Sequence, residues 1–236
     1  MNVTEIMAEL QAKGSESIKK ILLKHGVKEP FFGVKVEYLK PIQKKVKMDY
    51  QLAKDLFATG NADAMYLAGL IADDANMTKA DLNTWAENAL SNNISEYTVP
   101  WVAAGNPHGF ELALEWIESP VEHIAATGWA TLSNIVALKP DNELDIEKLK
   151  SLLERAAHDI RNSEDRVCYH MNSFVISAGS YAAPLADDAI ATAQKIGVVT
   201  VDKHGTACKV PVATEYIKKV WDKRGGVAPK KKEVKC

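Results

Sequence analysis

Cys168 and His170 stand close together in the chain, which invites a reading as thiolate nucleophile and general base. Residues two apart on a helix point to different faces, so the pair fails that geometry, and Cys168 reads as a buried packing cysteine. The six histidines are scattered. His25 with Glu29 and His158 with Glu154 have helical spacing to one carboxylate each, but no second histidine lies nearby to complete a ligand set. The three cysteines form no CxxC pattern. No phosphate-binding loop, dinucleotide fingerprint, HExxH or nucleophile-elbow motif occurs. No metal and no other cofactor is expected.

A second group is more suggestive. Ser91-Asn92-Asn93-Ile94-Ser95-Glu96-Tyr97 opens a helix that runs through Trp101, Gly128-Trp129 lies inside another, and Asn172-Ser173-Phe174 inside a third. In an array of helix pairs the second helix of each pair tends to line the inner side, so a carboxylate and several rings could share one surface. The same rings equally suit ordinary core packing.

The elements that would hold these residues are helical almost throughout. Thr4 is placed to cap a first helix carrying Ile6, Met7 and Leu10, and Ser15 a second carrying Ile18, Ile21 and Leu22. Residues 28–34 read as a loop, and Pro41 as the first turn of a short helix reaching Val46. From Asp49 onward helices come in pairs, whose starts at Asp49, Thr78, Pro107, Asp145 and Leu185 recur at intervals of roughly 30–40 residues, within the range of helical repeats. One segment departs from the pattern. The β-branched run 198–201 and its return 207–212 read as a small β-hairpin, about 198–212, before the last helix. The expected class is all-α: a solenoid of helix pairs at 1–222, with 223–236 as a basic flexible tail.

Composition narrows the function classes. The chain has 236 residues, 47% apolar and 25% charged, which fits a compact domain and excludes a disordered or fibrous chain. The stretch 167–186 lacks Asp, Glu, Lys and Arg but, with His170, Asn172 and several Ser, is too polar for a membrane span, and Met1-Asn2-Val3-Thr4-Glu5 does not resemble a secretory signal. A cytoplasmic protein is expected. Net charge is −2, yet residues 13–48 and 203–236 are strongly basic while 49–202 are acidic. Clustered cations of this kind suit a polyanion, and the candidate DNA contacts are Lys203, His204, Lys209, Lys218, Lys219, Arg224, Lys230, Lys231 and Lys232. Solvated helix faces and a basic tail would produce the same pattern.

Four phrases carry a resemblance: Phe32-Gly33-Val34-Lys35, Gly60-Asn61-Ala62-Asp63-Ala64-Met65-Tyr66-Leu67-Ala68-Gly69, Met171-Asn172-Ser173-Phe174 and Ala207-Cys208-Lys209-Val210-Pro211. Together they resemble the AlkD superfamily of HEAT-like DNA alkylation repair proteins, closest to its AlkF/AlkG branch, over essentially the whole chain. The resemblance implies a right-handed superhelix of HEAT-like pairs whose concave basic face holds duplex DNA. In glycosylase members an aspartate and two tryptophans hold the lesion, and 3- or 7-methylpurines leave by hydrolysis of the N-glycosidic bond. The carboxylate there stabilises charge developing on the sugar.

Carried onto this chain, the catalytic aspartate falls at Glu96, the preceding tryptophan on Asn92, and the second tryptophan near Phe174. Trp129 and Asn172 complete the expected lesion- or DNA-facing pocket. The added methylene of Glu96 moves its charge by about 1 Å, a displacement able to cost roughly a hundredfold in rate. The AlkF/AlkG branch implies a monomer that binds duplex or branched DNA, with its hairpin near the minor groove and weak or no base excision. An active alkylpurine glycosylase and a helical-repeat scaffold for protein partners stand as alternatives.

Overall fold

The structure is a computed structural model describing residues 1–202 and 209–235. Among these, the regular elements are helices: α1 (Val3–Lys13), α2 (Glu16–Lys24), α3 (Val36–Val46), α4 (Tyr50–Phe57), α5 (Ala62–Ile71), α6 (Lys79–Asn88), α7 (Val99–Ala104), α8 (Gly109–Trp116), α9 (Glu122–Leu138), α10 (Ile146–Asp159), α11 (Asp165–Tyr181), α12 (Ala186–Ile196) and α13 (Ala213–Arg224). A π-helical turn, Ile94–Thr98, leads directly into α7.

The chain divides into two compact units, Met1–Leu112 with Lys235, and Ala113–Asp202 with 209–234. In the first, α4 packs on α5, and α5 packs in turn on the π-turn and α7. In the second, α9, α11 and α13 form one layer, and α10 packs on α12 to form the other. First helices therefore stack on first helices and second on second, the arrangement of a helical repeat. Within the first of these layers α9 and α11 are the more buried helices. α9 buries twelve of its residues, among them Trp129, Leu132 and Val136, and each such large apolar side chain contributes roughly 1.5–3 kcal/mol.

Helix starts follow local side-chain chemistry. Asp49 accepts from the Leu52 N–H at 3.0 Å, and Thr78 forms a capping box with Asp81 at the head of α6. Two expected starts are corrected. α1 is capped by Asn2, whose Oδ1 accepts from the Glu5 N–H at 2.9 Å while Glu5 returns a bond to the Asn2 N–H, so Thr4 is already helical. α3 begins at Val36, with Pro41 inside it. The N–H that Pro41 lacks would have served the carbonyl of Glu37, an exposed first-turn residue that water can reach, so the proline is tolerated there.

The expected β-hairpin is also corrected, for the residues that can be described. Segments 198–202 and 209–212 contain no strand; Lys203, His204 and the rest of 203–208 lie outside the described residues. A lone two-stranded ribbon is marginal in water, and here the helices take over its hydrogen bonding. The Asp202 N–H donates to the Asp165 carboxylate at 3.0 Å, and the Asn172 side-chain amide donates to the Pro211 carbonyl at 2.9 Å.

Candidate functional site

In the N-terminal unit the π-turn decides where Glu96 sits. The wider turn places Ile94, Ser95 and Glu96 in the interior, with Glu96 only 4% exposed, and leaves Tyr97 at the surface. α5 approaches this turn closely: a Cβ on Gly69 would stand 2.4 Å from the Thr98 methyl. Beside the turn, the Trp101 ring meets Tyr66 edge-on at 5.3 Å and Tyr97 at 6.1 Å. Asn92 serves the chain itself. Its backbone N–H donates to the Gly26 carbonyl at 3.2 Å and its side-chain amide to the His25 carbonyl at 3.4 Å. Ser91 adds a bond from the Lys28 N–H at 2.8 Å. Together they clip the loop after α2 onto the entry to the π-turn.

A second carboxylate in this unit is more elaborately held. Asp63, near the head of α5 and 6% exposed, accepts the backbone N–H groups of Phe32, Gly33 and Val34 at 2.6, 3.0 and 3.1 Å. Burial pushes its pKa up, against the pull of those three donors. Gly33 adopts a φ of +80°, and a Cβ there would lie 2.7 Å from the Lys19 backbone nitrogen, so the turn that aims three N–H groups at one carboxylate needs glycine. Asp63 was not anticipated as a joint; the neighbouring phrases 32–35 and 60–69 were its only trace in the sequence.

In the C-terminal unit Trp129 and Phe174 are fully buried against each other, with ring centroids 5.4 Å apart. The Arg155 guanidinium lies 5.9 Å from the Trp129 ring centroid and is itself paired with Glu118 and, at 3.3 Å, with Asp159. Asn172, also fully buried, is the tie to Pro211 described above. The structure thus brings Trp129 and Phe174 together in the interior, while Asn172, two residues from Phe174 on the same helix, is turned to the Pro211 carbonyl. Cys168 is buried as well: its thiol donates to the Ile160 carbonyl, and burial, helped by the nearby Asp165 charge, pushes its pKa up and away from a reactive thiolate. Among the described residues no group of His, Cys, Asp and Glu is placed to hold a metal, and no helix is long and apolar enough to cross a membrane.

The basic residues divide into two sets. Lys230 is paired with Asp141 at 2.7 Å and bonds the Val136 carbonyl, while Lys231 sits over the Tyr181 ring at 5.2 Å and its N–H bonds the Ala137 carbonyl. Lys209, Lys218, Lys219, Arg224 and Lys232 are exposed and have no carboxylate partner among the described residues, and Lys223 joins them. Tyr181 and Tyr216 are not among the expected contacts, and Lys223, read from the sequence as the first residue of a flexible tail, lies inside α13. The signal was available for two of them, since positions 216, 219, 220 and 223 have the spacing of a single helix face.

Helix pairs stacked layer on layer, with an unpaired basic edge at the last helix, define a helical-repeat protein. The family follows from comparison. The model of the DNA alkylation repair enzyme family matches residues 6–217, and the chain belongs to that family. It is similar to a solved structure described as "a new family of proteins related to the HEAT-like repeat DNA glycosylases with affinity for branched DNA structures", with a TM-score of 0.91 and 34% identity over 100% of both chains. It is also 29% identical over 221 residues to two proteins called uncharacterized: Lin0241 of Listeria innocua serovar 6a and Lmo0209 of Listeria monocytogenes serovar 1/2a. The match covers 91% of this chain and 95% of each of theirs.

Proposed function

We propose that the protein binds DNA, duplex or branched, through its unpaired cations, and excises alkylated bases weakly or not at all. The observation that carries this reading is the exposed set Lys209, Lys218, Lys219, Lys223, Arg224 and Lys232, none with a carboxylate partner among the described residues. Like-signed side chains left unneutralised repel one another, and a polyanion relieves that repulsion while releasing its counterions. The structural neighbour described as having affinity for branched DNA, similar over its full length, favours branched structures as the ligand. If about five phosphates are contacted, log K should fall with log salt at a slope of roughly −4 to −5. Titrating fluorescent duplex and four-way-junction DNA from 50 to 200 mM salt, concentrations that resolve such slopes, measures it. Salt-insensitive or undetectable binding overturns the reading.

Weak or absent excision is supported by the state of the two residues carried over from the glycosylases. Glu96 is interior, and Asn92, at the position of a lesion-holding ring, is spent on the His25 carbonyl of the loop after α2. Incubated with alkylated DNA, wild type and Glu96→Gln are expected to release 3-methyladenine and 7-methylguanine equally, at the rate of the DNA alone. Release above that rate by wild type, lost in Glu96→Gln, would instead make Glu96 the catalytic carboxylate.

A further inference from the structure

A cleft of about 460 Å³ lies between the end of α11, one face of α13 and the chain that returns after α13. Its walls include Tyr181, Tyr216, Lys219, Lys223, Arg224 and Lys231, and no carboxylate lines it. The return is built in: Gly225 takes a left-handed conformation, and the Gly226 N–H bonds the Trp221 carbonyl at 2.9 Å. The Ala228 N–H then bonds the Ser180 carbonyl at 2.8 Å, which fixes the segment against the end of α11. Lys223 and Arg224 have a structural reason to be there, because cations complement the C-terminal end of a helix dipole. Lys219, one turn earlier, has no such reason.

From this cleft we infer a site for an unpaired nucleotide of a branched DNA, its phosphate held by Lys219, Lys223 and Arg224 and its base stacked on Tyr216. The inference rests on the DNA-binding reading and adds which part of the DNA this cleft takes. Tyr216 is 45% exposed and is the exposed ring in the wall of this cationic cleft, and sequence-independent binding of single strands combines cations that follow phosphates with rings on which bases stack. Tyr181 is the less available ring, since the Lys231 ammonium lies over it and burial pushes the pKa of its hydroxyl up, so it remains a neutral donor for a phosphate oxygen. Size excludes the alternative of a duplex inside the cleft. The volume is that of a pocket for a small-molecule-sized group, far below that of even a few stacked base pairs with their backbones.

The test uses the full-length protein and three labelled DNAs: a fork with two unpaired oligo-dT arms, the same fork with both arms made duplex, and a linear duplex. Wild type should prefer the fork with unpaired arms. Tyr216→Ala should weaken binding to that fork by about tenfold, the size of one lost base stack, while changing the paired fork less than twofold. Tyr216→Phe, which keeps the stacking ring, should retain the preference, and thermal melting of all three proteins checks that each is folded. Equal wild-type affinity for the two forks, or an unpaired-arm preference that survives Tyr216→Ala, overturns the inference and leaves the DNA-binding reading standing. Failure of wild type to bind any of the three removes both.

Discussion

Replacing Asp63 by alanine is expected to destabilise the protein by on the order of 4 kcal/mol, because it strips three buried N–H donors of one shared acceptor. The carboxylate gathers three backbone N–H groups from residues about thirty positions away, on Phe32, Gly33 and Val34. Alanine removes the acceptor and leaves those donors facing an apolar hole, and a buried donor without a partner costs about 1–3 kcal/mol. For a chain of this length each kilocalorie lowers the melting midpoint by roughly 2–4 °C, so a fall of about 12 °C should be seen in the transition that exposes the N-terminal unit. Amide exchange offers a local check. The N–H groups of residues 32–34 should lose protection well below the midpoint, ahead of the α9 and α11 core. Asp63→Asn keeps one carbonyl oxygen but turns an amide donor toward the remaining N–H groups, and should fall between wild type and alanine. A change under about 1 kcal/mol would mean that the loop is held by other contacts, since surface substitutions cluster within about 0.5 kcal/mol.

The second large effect concerns DNA. Lys218→Glu, Lys219→Glu and Arg224→Glu together should lower affinity for every DNA structure by on the order of a hundredfold or more at low salt, because each change removes an attraction and adds a repulsion. The more diagnostic quantity is the salt slope, which should become shallower by about 2.7, or about 0.9 for each phosphate no longer neutralised. All three side chains are exposed and have no carboxylate partner among the described residues, so the melting midpoint should fall by only a few degrees, chiefly through Arg224 at the C-terminal end of α13. Equal loss of stability and binding would place them in the scaffold. A weakened affinity with an unchanged slope would show that the phosphates are met elsewhere. The Lys230 and Asp141 pair serves as a control: Lys230→Glu sets two carboxylates against each other and should cost stability as well as any contribution to binding.

Much of the helical layout was legible in the residues. Asp49, Thr78 and Asp145 each cap a helix where the sequence places a start. These signals are local: a cap bonds an N–H two or three residues on, and an apolar face repeats with the helix period. Misreadings occurred where local rules compete. Asn2 and Thr4 both suit a helix start, Pro41 could open a helix or be tolerated within one, and the β-branched run 198–201 has a strand's composition but no sheet to join. The phrases that carry the family resemblance have a physical meaning that their spacing hid. Residues 32–34 meet the 60–69 phrase through Asp63, and Asn172 of the third phrase bonds Pro211 of the fourth.

By itself, then, the sequence determined a helical repeat and a supply of cations near the C-terminus, because both follow from composition and from interactions within a few residues, and it pointed to the family through the resemblance of whole phrases. Only the tertiary structure decided which side chains remain for a ligand. Trp129 and Phe174 are spent on the interior, Asn92 and Asn172 on backbone carbonyls, and Lys230 on Asp141, whereas Tyr216, Lys219 and Arg224 stay open to solvent. The reason is that a ring or a charge has the same identity in sequence whether it packs, pairs or faces water. The choice is made by partners tens of residues away, brought near by packing that no local pattern encodes.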